Sequence, residues 1–224
     1  MIENMARPTI IFYKLCVQNL TKRIQKILSF VSVDSKIVWD LCCDHGIIGL
    51  NAKYTGRRVI FLDQVESITD KLAGTDIPSS DIVLANAANY NFTKNNLKTT
   101  YILAGIGGIL SVDILKNIIP ILNFNDQIVL SPHNSIAYVR DFLSQSKLRV
   151  SLEEVIEDNG QFYEMFCLGT GYKYTVNPLP GELWTCNSDT INYIKDQIAY
   201  YTVKSAHSDQ YAGVLRHFKS LLSA

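Results

Sequence analysis

The feature that most constrains the fold is a series of short apolar runs at regular intervals: Ile37 to Leu41, Val59 to Leu62, Ile82 to Ala85, Tyr101 to Ala104 and Ile128 to Leu130. Near-continuous apolar runs of this length suit strands buried on both faces, the pattern of a parallel sheet covered by helical crossovers. The longer mixed segments between them make the chain α/β. Some crossovers are thin: between the second and third runs only Val65 to Leu72 has helical character, and Ala87 to Thr99 is rich in Asn. Ile109 to Leu122 is the clearest helix, opened by Gly107-Gly108. Arg149 to Gly169 reads as two strands around Asp158-Asn159-Gly160, an antiparallel hairpin that closes the sheet.

Two further segments flank this sheet. Leu20 to Val33 predicts an amphipathic helix, with Leu20, Ile24, Ile27 and Leu28 on one stripe and Lys22, Arg23 and Lys26 on an outward basic face. Gly169 to Gly181 has a linker composition, and after it Ile191, Ile194, Ile198 and Tyr201, then Tyr211, Val214, Phe218 and Leu221, recur in steps of three and four. A helical hairpin turning near Ser205 to Asp209 explains that spacing. The expected organisation is a sheet domain over residues 1–172 and a linker with a C-terminal helical hairpin over 173–224.

With 224 residues and 47% hydrophobic composition the chain can build a sizeable core. Lys plus Arg equals Asp plus Glu at 21 each, which excludes a protein that coats nucleic acid and leaves room only for a local basic patch. Such a patch is expected near the N-terminus, where Arg7, Lys14, Lys22, Arg23 and Lys26 face a single acid, Glu3. No apolar run approaches the length of a membrane span. The five cysteines, Cys16, Cys42, Cys43, Cys167 and Cys186, lack metal-ligand spacing, so neither a zinc site nor a disulfide framework is expected, and a cytoplasmic setting fits.

The chemistry concentrates at strand ends. Asp40-Leu41-Cys42-Cys43-Asp44-His45-Gly46 follows the first apolar run directly, where glycine permits close ligand approach. Asp63 ends the next run 23 positions after Asp40, a spacing that suits a carboxylate accepting from ribose hydroxyls of a nucleoside cofactor. A dinucleotide needs glycines under its pyrophosphate, yet Cys42 and Asp44 hold those positions. Carboxylates favour instead the sulfonium and ammonium cations of S-adenosylmethionine. Ala104-Gly105-Ile106-Gly107-Gly108 leaves room for a flat substrate, and Ser131-Pro132-His133-Asn134 adds donors and acceptors at the same sheet edge.

Together these segments resemble one family, the bacterial tRNA adenine-22 N1-methyltransferases, class I enzymes that use S-adenosylmethionine. Leu20-Thr21-Lys22-Arg23-Ile24 is similar to the family's L-x-K-R-L, and Asp40, Asp44, His45 and Gly46 match its D-I-G-S-D-H-A/G-Y-L, with Cys42 in place of the first glycine. Ala104 to Gly108 resembles A-G-M-G-G, Ser131 to Asn134 a displaced Q-P-N, and Phe162-Tyr163-Glu164 the closing Y-Y-E. The resemblance implies a Rossmann-like sheet and methyl transfer to tRNA, with no metal and no membrane. It implies cofactor contacts at Asp40, Cys42, Asp44, Gly46, Asp63, Gly105 and Ile106. Substrate contacts fall on Lys22, Arg23, Gly107, Gly108, His133 and Asn134, and chemistry on Asp44, His45 and Asn134. Three alternatives stay open: a weakened RNA-binding relative, suggested by Cys42; a methyltransferase with another substrate; and a nucleotide-dependent oxidoreductase. Oligomeric state is not legible.

Overall fold

The computed structural model describes residues 20–53 and 56–223; Glu3, Met5, Arg7, Lys14 and Cys16 lie outside them. Seven strands form one sheet in the order β3-β2-β1-β4-β5-β7-β6. They are β1 (Ile37–Leu41), β2 (Arg58–Asp63), β3 (Ile82–Leu84), β4 (Thr99–Ala104), β5 (Gln127–Ser131), β6 (Arg149–Asp158) and β7 (Gln161–Gly169). The first five are parallel, while β7 runs antiparallel to β5 and β6. Four of the five apolar runs lie wholly within these strands, and the third overruns β3 by one residue, Ala85. The hairpin turns at Asn159 and Gly160, both with positive φ (54° and 76°), the geometry that favours Asn-Gly between twisted strands.

Successive strand residues feed two separate cores, as a sheet covered on both sides requires. Leu41, Leu62, Tyr101, Leu103, Leu130 and Phe166 pack beneath α4 (Gly108–Ile118) and α5 (Ile136–Gln145). Val38, Phe61, Ile102, Val129 and Met165 pack beneath α1 (Lys22–Phe30), α2 (Ile47–Asn51) and α3 (Glu66–Ala73). The predicted helix over 109–122 is cut short: Pro120 cannot continue the backbone ladder, and Ile119–Ile121 is a 3-10 turn. Helix α5 was not read from sequence.

The Asn-rich segment after β3 contains no helix. Tyr90 and Phe92 cover the sheet instead, in ring contact with Trp39 and Tyr101. Beyond β7 the chain makes an isolated bridge between Tyr174 and Val150, then folds into α6 (Ser188–Ser205) and α7 (Ala212–Leu221). These helices pack on each other through Tyr201 and Phe218, whose rings stack 5.8 Å apart. Tyr193 joins α6 to the sheet by donating its hydroxyl to Glu164 at 2.8 Å. Glu164 also accepts from the fully buried Arg140 of α5, which reaches Glu153 as well. Burial lowers the guanidinium's affinity for its proton but the two carboxylates more than restore it, so this arginine is an internal fastener of helix, hairpin and tail.

Candidate active site

The sheet reverses direction of growth at β1, with β2 on one side and β4 on the other, and the crevice above such a reversal is where open α/β sheets bind ligands. The loop after β1 forms one wall. Cys42, Asp44 and Gly46 all have positive φ, at 55°, 48° and 68°, so the chain alternates into the left-handed region that only Gly visits freely. Three hydrogen bonds hold this conformation: Cys43 N–H to the Leu62 carbonyl, Gly46 N–H to the Cys43 carbonyl, and Asp44 N–H to Asp63 Oδ2 at 3.1 Å. Asp63 Oδ1 accepts from Val65 N–H at 3.0 Å. Each oxygen keeps a second lone pair for a hydroxyl donor.

Asp40 lies beneath the loop rather than on its open side. It is buried on the α1–α3 side of the sheet and accepts Gly49 N–H at 2.7 Å through Oδ2. A Cβ at Gly49 would lie 2.9 Å from that oxygen and 2.4 Å from Phe61, so glycine is needed for the approach. Burial, opposed by the Gly49 hydrogen bond and reinforced by Asp63 and Asp44, pushes the Asp40 carboxyl up to about 7. It holds α2 under the loop from below. Asp44 and His45 are the loop's open side chains, 71% and 59% exposed and 3.8 Å apart. Cys42 is half-buried against the core, and burial with the nearby Asp63 raises its thiol to about 11.

The loop after β4 forms the other wall. Gly105 sits at φ 82° in open space, its missing Cβ meeting only His133 Nε2 at 3.9 Å. Gly108 is tight: a Cβ there would lie 2.7 Å from the Asn134 carbonyl oxygen. Asn134 Oδ1 accepts Gly108 N–H at 3.2 Å, and His133 N–H donates to the Ile106 carbonyl at 2.8 Å. The glycine run and the His133-Asn134 segment, distant in sequence, are therefore laced into one surface.

The basic face of α1 departs from expectation. Lys22 pairs with Asp189 of α6 at 2.5 Å and Lys26 with Glu154 of β6 at 2.6 Å, so neither charge is open to solvent alone. Arg23 turns inward to the sheet edge. Its guanidinium donates to the Ser131 carbonyl at 2.9 Å and to His133 Nε2 at 2.8 Å, and lies 4.2 Å above the Tyr163 ring. Sequence spacing places a residue on a helix face but does not show that neighbouring strands rise to meet it. Among the described residues no cluster of His, Cys, Asp and Glu could hold a metal, and no helix is long and apolar enough to cross a membrane.

Comparison with known proteins gives this geometry a context. No curated protein sequence matches the chain significantly. Among solved structures, Sp1610 of Streptococcus pneumoniae is similar over 91% of this chain and 100% of its own, with a TM-score of 0.71 at 17% identity. The B. subtilis M1A22 tRNA methyltransferase TrmK is similar over 90% and 95%, with a TM-score of 0.64 at 17% identity. M. capricolum TrmK, solved with S-adenosyl-homocysteine, is similar over 91% and 96%, with a TM-score of 0.67 at 14% identity. Sp1610 has also been solved with S-adenosyl-L-methionine. These likenesses establish a shared Rossmann-like fold. The sequence model of the methyltransferase domain matches residues 20–166, from the first turn of the chain's described part to the last strand of the sheet. The chain belongs to the methyltransferase domain family.

Proposed function

We propose that this protein transfers the methyl group of S-adenosylmethionine to N1 of an adenine in tRNA, within the cytoplasm. The observation that carries the reading is the crevice above β1 and β4, with acidic Asp44 and Asp63 on one wall and the near side-chain-free run Gly105 to Gly108 on the other. Those walls suit a cationic nucleoside cofactor beside a flat base. The fold shared with TrmK proteins, and the ligands bound to Sp1610 and to the M. capricolum protein, support it.

When bound, the cofactor supplies an electrophilic methyl on a sulfonium. The residues fit it by charge: Asp63 offers free lone pairs for ribose hydroxyls, Asp44 a carboxylate for the cationic end, and Gly105 and Ile106 backbone that a ligand can approach closely, while Gly46, whose missing Cβ would meet Leu72 at 2.7 Å, lets the cofactor loop turn against the core. Cys42 shapes the loop from the core side, and Asp40 fixes the loop from below. Gly107, Gly108, His133 and Asn134 line the side for the base. Adenine N1 carries an in-plane lone pair and needs no base to become nucleophilic. The chain's work is positioning and exclusion of water. The methylated base is cationic until an N6 proton leaves, and Asp44 or His45 is the acceptor at hand. Since N1 lies inside a base pair, the target must be unpaired or flipped out. The methyltransferase domain, expected over 1–172, carries these functions in this proposal, and the segment 173–224 adds RNA contact.

Sequencing of modified bases in tRNA from a strain lacking the protein tests the proposal. Loss of 1-methyladenosine at one tRNA position supports it. An unchanged tRNA methylation pattern overturns it, and calorimetry then distinguishes a cofactor-free relative from an enzyme that binds NAD.

A further inference from the structure

His133 stands at the end of β5 with its Nε2 2.8 Å from Arg23 Nη1 and 3.9 Å from the space a Cβ at Gly105 would fill. A guanidinium has donors and no acceptor, so the imidazole nitrogen facing it must be unprotonated. The remaining proton is then on Nδ1. We propose that Arg23 is a positioning residue that locks His133 as the neutral Nδ1–H tautomer, so that this edge of the crevice carries no charge beyond the guanidinium itself. This inference rests on the methyl-transfer reading for its purpose, but not for its geometry.

The lock is built on more than one contact. Arg23 Nη2 donates to the Ser131 carbonyl at 2.9 Å and to Ser131 Oγ at 3.2 Å, Nε reaches the same Oγ at 3.3 Å, and the guanidinium plane lies over Tyr163. Tyr163 also lies 5.5 Å from the imidazole, ring to ring. The backbone of His133 is fixed independently by its N–H to the Ile106 carbonyl. The charged or titratable groups facing His133 are thus Arg23 from α1 and Tyr163 from β7; the loop after β4, Gly105 to Gly107, brings none. Among the described residues no carboxylate stands within ion-pair distance of Arg23; Asp158 acts on its charge only from further away, and the imidazole is its near neighbour. Burial and that charge both hold His133 below its ordinary range.

The chemical benefit follows from charge. An imidazolium would turn a second N–H, on Nε2, toward the Arg23 donors, and would add a second cation to the guanidinium beside a base whose methylated product is itself cationic. The neutral Nδ1–H form avoids both.

The test is nitrogen-15 NMR of histidine-labelled protein, the His133 signals assigned by comparison with His133→Gln, alongside methyl-transfer kinetics. In the parent, His133 should show the Nδ1–H pattern and protonate at lower pH than an exposed histidine. In Arg23→Gln it should show mixed tautomers and a higher pKa, and the acid limb of kcat/KM should move up by the same amount. At pH 6, kcat/KM should fall about tenfold or more, the scale of one lost hydrogen bond to a charged group, while calorimetric S-adenosylmethionine affinity is retained. Arg23→Lys, which keeps charge but cannot span Ser131 and His133, should restore the low pKa only in part. An Nε2–H tautomer in the parent overturns the proposal even if no variant folds, as does an Arg23→Gln protein whose tautomer and acid limb are unchanged. A parent with the Nδ1–H pattern but no methyl transfer would refute the enzymatic reading and leave the lock standing.

Discussion

Asp63 Oδ2 accepts the Asp44 backbone N–H at 3.1 Å, so the carboxylate that ends β2 also holds the left-handed loop that follows β1. One side chain thus ties together the two strand-end loops of a single wall. Asp63→Ala removes the acceptor for two backbone amides and, in the proposed binding mode, for the ribose hydroxyls, so S-adenosylmethionine binding should weaken by about 1.5 to 3 kcal/mol. Asp63→Asn keeps one acceptor oxygen and should lose less. Titration calorimetry on both variants measures the difference, and equal affinities for parent and Asp63→Ala would remove Asp63 from the site.

Cys42 occupies a backbone conformation with φ 55° while its side chain packs against the core. Cys42→Gly relieves backbone strain and forfeits that packing, two effects of about 1 kcal/mol each. The unfolding midpoint in urea should therefore shift little, and cofactor binding should persist. Cys42→Val puts a β-branched residue in the left-handed region and should cost about 1 to 2 kcal/mol more. A stable, cofactor-binding Val variant would show that the positive φ is not required.

Asp40 is pushed up to about 7 by burial first, then by Asp63 and Asp44, whereas a carboxyl in the unfolded chain titrates near 4. The folded state therefore holds a proton that the unfolded chain has lost between those two values. The stability from this group is complete below about 4 and falls as pH rises toward 7, by up to about 1.4 kcal/mol per pH unit. Asp40→Asn keeps an oxygen for Gly49 N–H and should flatten this part of the stability-against-pH curve. Urea unfolding at pH 5, 6 and 7 checks it; parallel curves for parent and variant would place the Asp40 titration elsewhere.

The tail carries Lys204, Arg216 and Lys219 on exposed positions, and among the described residues none of them is in an ion pair. The cations of α1 are paired at Lys22 and Lys26. Replacing the three tail residues by Ala should flatten the dependence of log tRNA affinity on log salt by about 2. Lys22→Ala with Lys26→Ala should change it by less than about 1, because those charges already have carboxylate counterparts. Filter binding at several salt concentrations distinguishes the two sets, and the reverse order would return the RNA contact to α1.

Much of this architecture was legible because the physics behind it is local. Runs such as Val59 to Leu62 and Tyr101 to Ala104 are apolar throughout because both sheet faces are covered, and Asn159-Gly160 announces its turn by the φ values it permits. The glycines and carboxylates of the strand-end loops were legible for the same reason. What failed was pairing across distance. Arg23 and Arg140 look like surface charge in a helical pattern, yet one is fixed by Ser131 and His133 and the other by Glu153 and Glu164. Their partners lie on strands, brought near only by the closed sheet. Helix α5 escaped notice with Arg140, since an arginine facing the core obscures the apolar stripe by which a helix is recognised. Asp40 reads as a ligand residue by position, while its burial against Gly49 depends on a five-residue helix that no periodicity could show.

Methyl transfer to adenine N1 in tRNA is read out by nucleoside analysis of the reaction product. Purified protein is incubated with unmodified tRNA and methyl-labelled S-adenosylmethionine, the tRNA is digested, and the labelled nucleosides are separated by mass spectrometry. Label should appear in 1-methyladenosine, at a rate lowered by Asp63→Ala. Label in any other nucleoside, or none with a protein that binds the cofactor, would contradict it.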